Sequence, residues 1–552
     1  MGVTSRIGHR AKGLLGRLAR SRDGGVAMMF ALALPPICMM GVCGVDIHRA
    51  STVRAQLQDA LDAAALSAAR SNETTDAGIR TVGMRALRAN LAAFPDVTLR
   101  EAASYTDFDL NADGSVVAKA KVDVEALVAD MFLGDLMTVG VNSTVYRSNY
   151  RVEVALVIDN TGSMNSGGKL QAAQQAAANL VERLAEAAER SVEQEAVRIS
   201  LVPFSMTVRV HQGFTSRANR TGATNLGWLS RSTSHTGSTG STGLFAAGVD
   251  RFALLDTLRI GWGGCVESRP YPYDVQDTAP NSGNQATMFV PYFSPDSPDK
   301  GDIPGDNTWQ RWDYQNDYLN DSQAAVSSSW RFDNNAHRLT EWSNRLRSST
   351  KYVRSGLRTG IGTGLGPNQG CALEPIVRLT EDYDSVLESI WDMNATGNTN
   401  VPMGLMWGWH TLSPRAPFAD GRPYGEERLQ KIVILLTDGD NVNSTADNPD
   451  NSSYSGVGLI WQGRLGTDMD VASSEQRRAD RMDDRLLELC ENMADEEIMI
   501  YTVGVQVSTN AQNLLRQCAT EDDMFYNVTN TGGIEAAFDR IAGSIENLRI
   551  AR

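Results

Sequence analysis

The sequence lacks the residue patterns that build zinc centres and nucleic-acid surfaces. Its six histidines form no H-E-x-x-H pair and its six cysteines form no C-x-x-C pair, which argues against a zinc site. Acidic residues outnumber basic ones: the chain has 51 Lys and Arg and 66 Asp and Glu, which gives a net charge of −15. This balance argues against a surface that binds nucleic acid. A hydrophobic share of 42% and a charged share of 21% exclude disorder or a collagen-like fibre for most of the chain.

The charge that is present is unevenly spread. Residues 1–23 carry six basic side chains and one acid, so this basic head has a charge of +5 and the rest of the chain −20. Residues 24–45 then contain no charged side chain. Their 22 positions, at 1.5 Å of helix each, give about 33 Å, enough for a hydrocarbon core of ~30 Å. We predict one transmembrane helix here, with the head in the cytoplasm and the acidic remainder exported.

A cleaved signal peptide is the alternative for residues 24–45. We favour the anchor because the apolar run is longer than a usual signal core and no A-x-A-like cleavage site follows closely.

Four cysteines lie in the part predicted to be exported, where an oxidising compartment allows two disulfide bonds. Three pairings are open to them. We favour Cys265 with Cys371 and Cys490 with Cys518, because each pair closes a loop within one region.

The pattern beyond the anchor predicts a helical stem at 46–72 and a small α+β region at 73–148. Residues 149–552 then alternate buried strands with amphipathic helices, which predicts an α/β fold with a doubly wound, mainly parallel sheet. The alternation breaks at about 208–372, a stretch rich in Gly, Ser, Thr, Asn and aromatic residues that we interpret as a long insertion. About three or four domains are expected from 552 residues, but this organisation leaves two exported ones.

Polar side chains follow two of the predicted strands. Asp159 ends the first buried strand, and Thr161 and Ser163 follow it, so three oxygens meet at the carboxyl edge of the sheet, where α/β folds bind ligands. Such a set suits a hard cation such as Mg²⁺, although an Asp-x-Thr-x-Ser turn alone more often caps a helix. Asp438 after a later strand and Thr399 before a helix add two further oxygens.

These five residues resemble the metal-ion-dependent adhesion site of the von Willebrand factor A family. The resemblance implies that Asp159, Thr161, Ser163, Thr399 and Asp438 hold Mg²⁺, with Ca²⁺ or Mn²⁺ as alternatives, although Thr161 stands where the family usually has Ser. It also implies an adhesive site, since an acidic residue of a partner typically completes the metal shell.

The N-terminus resembles the membrane segment of Tad (tight adherence, Flp pilus) assembly proteins, on the stretches 24–35, 56–60 and 62–66. Together with the A domain, the chain resembles a TadG-type protein. This is supported by the stretches 264–267, 404–409, 412–414, 500–504 and 515–518. The resemblance implies a single-pass protein of the bacterial inner membrane with pilus-assembly partners. Pilin-like relatives carry Glu where Met28 or Met29 stands, so we expect an uncleaved anchor.

The leading expectation is therefore a non-enzymatic, periplasm-facing component of Tad pilus assembly that binds a partner through a metal. One alternative is a surface adhesin that contacts a host or matrix ligand. A metal-dependent phosphohydrolase is disfavoured, because no Lys, His or nucleophile accompanies Asp159 and Asp438 in the matched motifs.

Overall fold

The computed structural model describes residues 24–548 with interruptions at 72, 74, 95–96, 112–113, 125–136, 147–149, 190, 192, 216–217, 231–242, 247, 299–315 and 321–341. The basic head at 1–23 lies outside the described residues. The chain divides into two compact units, one ending at Ser148 and the other beginning at Asn149.

The first unit is a small α+β body. Helix α1 (Gly24–Ala69) runs without a break through both the predicted anchor and the predicted stem, and α2 (Asp76–Leu91) follows it. Four antiparallel strands form the sheet, in which β3 pairs with each of the other three: β1 (Val97–Leu99), β2 (Asp107–Leu110), β3 (Ser115–Val124) and β4 (Met137–Tyr146). Leu57 and Leu61, one helical turn apart, are fully buried in its core beside Phe108. Among the described residues, no helix combines the length and apolar character that crossing a membrane requires.

The second unit is built on one sheet, whose nine described strands are β5 (Arg151–Asp159), β6 (Val197–Phe204), β7 (Val208–Arg209), β8 (Cys265–Glu267), β9 (Val290–Pro291), β10 (Val377–Thr380), β11 (Leu429–Thr437), β12 (Met499–Val505) and β13 (Phe525–Val528). Their order in the sheet is β13-β12-β11-β5-β6-β7-β8-β9, and β10 pairs with β6.

The predicted parallel sheet is confirmed for five strands. β13, β12, β11, β5 and β6 are parallel neighbours, whereas β7, β8, β9 and β10 pair antiparallel. The sheet is therefore mixed, because β7, β8 and β9 of the insertion and β10 just after it extend the β6 side.

Helices cover both faces of this sheet. They are α3 (Lys169–Glu189), α4 (Asn219–Asn225), α5 (Arg251–Leu258), α6 (Tyr383–Asp392), α7 (Val401–Leu412), α8 (Glu475–Asp495), α9 (Thr509–Cys518) and α10 (Gly532–Leu548). Side chains alternate across β5: Leu156 joins one core with α3, α6 and α10, and Val157 joins the other with α7, α8 and α9. Burial on both faces explains why β5 and β11 are apolar runs.

The insertion packs against the α7 face in the parts that the structure describes. Phe252, Trp262 and Tyr292 are buried there in one core with Trp407. Both predicted disulfide pairings are confirmed, since Cys265 is bonded to Cys371 within this region and Cys490 of α8 to Cys518 of α9.

Candidate metal site

The candidate site lies where β5 and β11 end. The two strands are parallel neighbours in register, with Ile158 opposite Leu436, so their carboxyl ends meet at one edge of the sheet. Asp159 is the last residue of β5, and Asp438 directly follows β11. Both carboxylates have side chains buried from solvent. The sequence pattern thus translates into two neighbouring acids at the ligand-binding edge of an α/β sheet.

Asp159 is held by neutral donors. The backbone N–H of Thr161 donates to Asp159 Oδ1 over 2.8 Å, and Thr437 Oγ1 donates to Asp159 Oδ2 over 2.6 Å. Burial raises the pKa of Asp159 to about 6, against the opposing effect of the hydrogen bonds from Thr161 and Thr437, and the neighbouring charge of Asp438 raises it further. The carboxylate is thus held in a fixed orientation, but neither of these two donors carries a positive charge.

Asp438 is engaged through both of its oxygens. Ser163 Oγ donates to Asp438 Oδ1 over 2.6 Å, and Lys169 Nζ donates to Asp438 Oδ2 over 2.8 Å. The hydroxyls of Thr161 and Ser163 are 3.0 Å apart, so the turn after β5 and the turn after β11 are joined by one chain of hydrogen bonds.

Thr399 reaches the same edge from the loop before α7. Gly397 O in that loop accepts from Gly162 N over 3.0 Å, and Thr399 O accepts from Val442 N over 2.9 Å. Thr399 itself is buried, and its Oγ1 lies 3.8 Å from the position that a Cβ on Gly439 would take. The loop therefore bridges the two acidic turns. All five residues named from the sequence converge on this edge.

The donor set is two carboxylates and three hydroxyls. Within the described ranges, no three His, Cys, Asp or Glu side chains are grouped as a metal centre, so any cation here depends on neutral oxygens as well as on the two acids. Oxygen ligands with few carboxylates suit a hard cation that keeps part of its water, as Mg²⁺ does. Asp159 is a buried carboxylate whose hydrogen-bond donors are all neutral. A bound cation would compensate its negative charge, so this residue also suits a metal site.

Sequence reasoning missed two residues of the site, Lys169 and Thr437. The matched motifs contain no lysine, but the turn after β5 brings Lys169, the first residue of α3, back to Asp438. A signal was present: Lys169 opens a helix, where the positive end of the macrodipole disfavours a cation unless an acid compensates it.

A comparison with known families finds one match, and it lies within the first unit. Residues 24–71 match the Tad family of Flp pilus-assembly, TadE/G-like sequences. The N-terminal segment is TadE/G-like. The TadE/G-like segment stands on one chain with an α/β unit whose five central strands are parallel. The match confirms the predicted resemblance of the N-terminal segment to Tad assembly proteins.

Several solved structures align with this chain at low similarity. The vWF domain of the type V pilus tip protein Mfa5 from Porphyromonas gingivalis is 12% identical, with a TM-score of 0.32 over 73% of this chain and 97% of that one. The pilus adhesin SpaC from Lactobacillus rhamnosus GG is 10% identical, with a TM-score of 0.32 over 82% of this chain and 35% of its own.

A third alignment is with proximal thread matrix protein 1 from the mussel byssus, solved with zinc in its MIDAS motif. It is 9% identical, with a TM-score of 0.27 over 72% of this chain and 47% of that one. This chain thus spans about a third of SpaC and about half of the mussel protein. At this similarity, the sheet order remains the evidence for the fold. None of the curated proteins matches the chain.

Proposed function

We propose that the chain is a membrane-anchored, periplasm-facing component of Tad/Flp pilus assembly that binds another protein of this machinery through a divalent cation. The observation that carries the proposal is the presence of a TadE/G-like segment and the convergent acidic edge on one chain. In the proposal, Asp159, Thr161, Ser163, Thr399 and Asp438 hold Mg²⁺ or a cation of similar chemistry.

The chemistry of the ligands supports binding of an acidic partner. A cation held by three neutral hydroxyls and two carboxylates keeps an unsatisfied preference for negative oxygen, which a Glu or Asp of the partner supplies. Ser163 and Gly162 are exposed, while Asp159 and Thr161 are buried beneath them. A partner carboxylate can therefore approach along the Ser163 side of the turn, and the chain's own acids remain beneath it.

The charge distribution and the disulfide bonds support the proposed membrane topology. The basic head of +5 precedes 22 uncharged residues within the TadE/G-like segment, an arrangement that retains the N-terminus in the cytoplasm. Two disulfide bonds in the second unit are typical of an oxidising compartment such as the bacterial periplasm.

The geometry favours binding over phosphate hydrolysis, even though a lysine is present. Asp159 is fully buried and accepts two hydrogen bonds, so neither of its oxygens is free to attack a substrate. The ammonium of Lys169 is engaged by Asp438. A covalent mechanism of phosphate hydrolysis needs an accessible nucleophilic side chain, which this pair of acids does not supply.

The test is an Asp159→Asn, Asp438→Asn double variant of the full-length chain in its native cell. We expect loss of pilus-dependent adherence and loss of Mn²⁺ binding by the purified protein, while membrane insertion is unchanged. Asp447→Asn, which changes an exposed acid beyond the site, is the matched control and should behave as wild type. Full adherence in the double variant would reject the proposal.

Two further measurements separate the alternatives. A protease added to intact cells should leave the second unit uncut if it is periplasmic, whereas cleavage would favour a surface adhesin. Phosphatase activity of the purified wild-type protein, lost in the double variant, would favour the enzyme.

A further inference from the structure

Lys169 places a fixed positive charge on one of the two acids of the site. Its Nζ lies 2.8 Å from Asp438 Oδ2, and its side chain is only 13% exposed, while that of Asp438 is fully buried. Because Ser163 binds the other oxygen of Asp438, this carboxylate is fully engaged by groups of the chain itself. Asp159, in contrast, has only neutral donors.

The position of Lys169 in the fold makes this contact unusual. It is the first residue of α3, whose first turn contains no acid. The positive end of the helix dipole disfavours a lysine there. Gly167 and Gly168, both with positive φ, precede it and allow the chain to turn sharply between the exposed turn and the helix. The turn thus brings a cation to Asp438 that the helix alone would not favour.

We propose that Lys169 is an intramolecular competitor of the metal: it neutralises Asp438 when no divalent cation is bound, and a cation must displace it or tolerate its repulsion. Lys169 then sets the metal concentration at which the site fills. This inference rests on the proposed metal site and concerns its regulation.

Lys169 also changes the net charge of the site, both without and with the metal. Two carboxylates and one ammonium leave the metal-free site with a single negative charge, which a buried edge tolerates better than two. Addition of a divalent cation beside the same three groups gives one positive charge, which matches one carboxylate of a partner. Without Lys169, the metal-filled site would be neutral and would attract an acidic partner less strongly. Lys169 therefore weakens metal binding and favours the acidic partner once the metal is bound.

The experiment titrates Mn²⁺ alone into the full-length protein in detergent, followed by calorimetry, for wild type, Lys169→Met, Lys169→Gln and Lys169→Arg. Removal of the charge in the Met and Gln variants should tighten Mn²⁺ binding roughly tenfold or more, because a unit charge close to the cation is gone. The Arg variant should stay near wild type. Arg183→Met on the same helix removes a cation paired with Asp539 and Glu546, away from the site, and is the control.

Thermal unfolding supplies a second readout. In EDTA, Lys169→Met should unfold below wild type, since Asp438 loses its partner, and saturating Mn²⁺ should raise its melting temperature more than that of wild type. The Gln variant, which keeps a hydrogen-bond donor without the charge, covers the case in which the Met variant does not fold.

The outcomes separate the two proposals. Equal Mn²⁺ affinity in wild type and both uncharged variants overturns the role of Lys169 and leaves the metal site standing. Binding by the uncharged variants but not by wild type supports the competitor and overturns metal binding by the native chain. Absence of binding in every protein overturns both.

Discussion

Thr437 Oγ1 donates a 2.6 Å hydrogen bond to Asp159 Oδ2 and so ties the carboxyl end of β11 to that of β5. The two residues are neighbours in the sheet, although 278 positions separate them in the chain. With the Thr161 N–H on its other oxygen, the carboxylate is fixed by protein groups alone. Its orientation is therefore set by the fold before any ligand arrives.

The first prediction concerns this bond. Thr437→Val keeps the volume of the side chain but removes the donor, which leaves a buried carboxylate oxygen without a partner. We expect the free energy of unfolding in EDTA to fall by about 1–3 kcal/mol, measured by urea denaturation. Thr437→Ser retains the hydroxyl and should lie close to wild type. Equal stability of the Val variant would show that the bond does not hold the strand ends.

The second prediction is the pH dependence of metal binding. Burial raises the pKa of Asp159 to about 6, and a cation needs the ionised form. Above pH 6 the carboxylate is ionised and affinity is nearly constant, whereas below pH 6 a proton competes and affinity falls roughly tenfold per pH unit. Mn²⁺ titration at pH 7.5, 6 and 5 checks this, and a flat profile from pH 7.5 to 5 would contradict it.

The third prediction concerns His410, which is fully buried with Nδ1 3.4 Å from Asp277 Oδ1. Burial lowers its pKa to about 4, against the opposing effect of the Asp277 carboxylate. An unfolded histidine titrates near pH 6.5, so between about pH 6.5 and 4 the unfolded chain takes a proton that the native chain refuses. Acidification through this window should remove up to about 3 kcal/mol of unfolding free energy.

The test compares wild type with His410→Gln at pH 7 and pH 5. Asp159 and Asp274, whose pKa burial raises to about 6, contribute with the opposite sign in this range and can mask the effect in wild type alone. They are common to both proteins, so the stability advantage of wild type over the variant should shrink by about 2 kcal/mol at pH 5. A constant difference would place a charged histidine in the native state.

The fourth prediction uses close packing of α7 on the sheet. A Cβ on Gly408 would lie 2.4 Å from Val157 Cγ2. Alanine in a helix normally gains about 1 kcal/mol over glycine, but overpacking of a core costs about 1–3 kcal/mol. We expect Gly408→Ala to be destabilising in thermal unfolding. Gly543→Ala in α10, where a Cβ meets nothing within 4 Å, should be stabilising and is the matched control.

The fifth prediction concerns the bond between Cys490 and Cys518. It joins α8 to α9 across 28 residues, and both cysteines are buried. A Cys490→Ala, Cys518→Ala double variant should lose about 3 kcal/mol of unfolding free energy, which chemical denaturation measures. Peptide mapping without reductant should recover the two cysteines linked in wild type. Recovery of free thiols there would contradict the pairing.

The sequence predicted the central strands well because their burial leaves a direct trace. β5 and β11 are continuous apolar runs, the kind of segment on which the predicted α/β fold depends. β10 leaves no such pattern, since a four-residue strand is defined by its pairing with β6. α9 is also hard to recognise from its sequence, because it is short and its apolar face packs against β12.

The packing of the insertion could not be predicted from the sequence, for a different reason. Its described part is organised around Glu267, which is buried with Arg251 and Arg464, and charged residues far apart in the chain leave no periodic signal. At the site, all five oxygen-bearing positions could be named because each follows or precedes a strand or helix. Lys169 was missed because its contact with Asp438 depends on how sharply the turn at Gly167 and Gly168 folds back.

The wide separation of the site's segments along the chain has a consequence for biogenesis. In the proposed topology the N-terminus stays in the cytoplasm and the part after the anchor is exported in chain order. Asp159 is then presented early, whereas Thr437 and Asp438 follow only after the whole insertion has been exported. A truncated or stalled product that ends before β11 cannot bring the two acids together. If the proposed mechanism holds, partner recognition is thereby reserved for molecules whose translocation has gone nearly to the end.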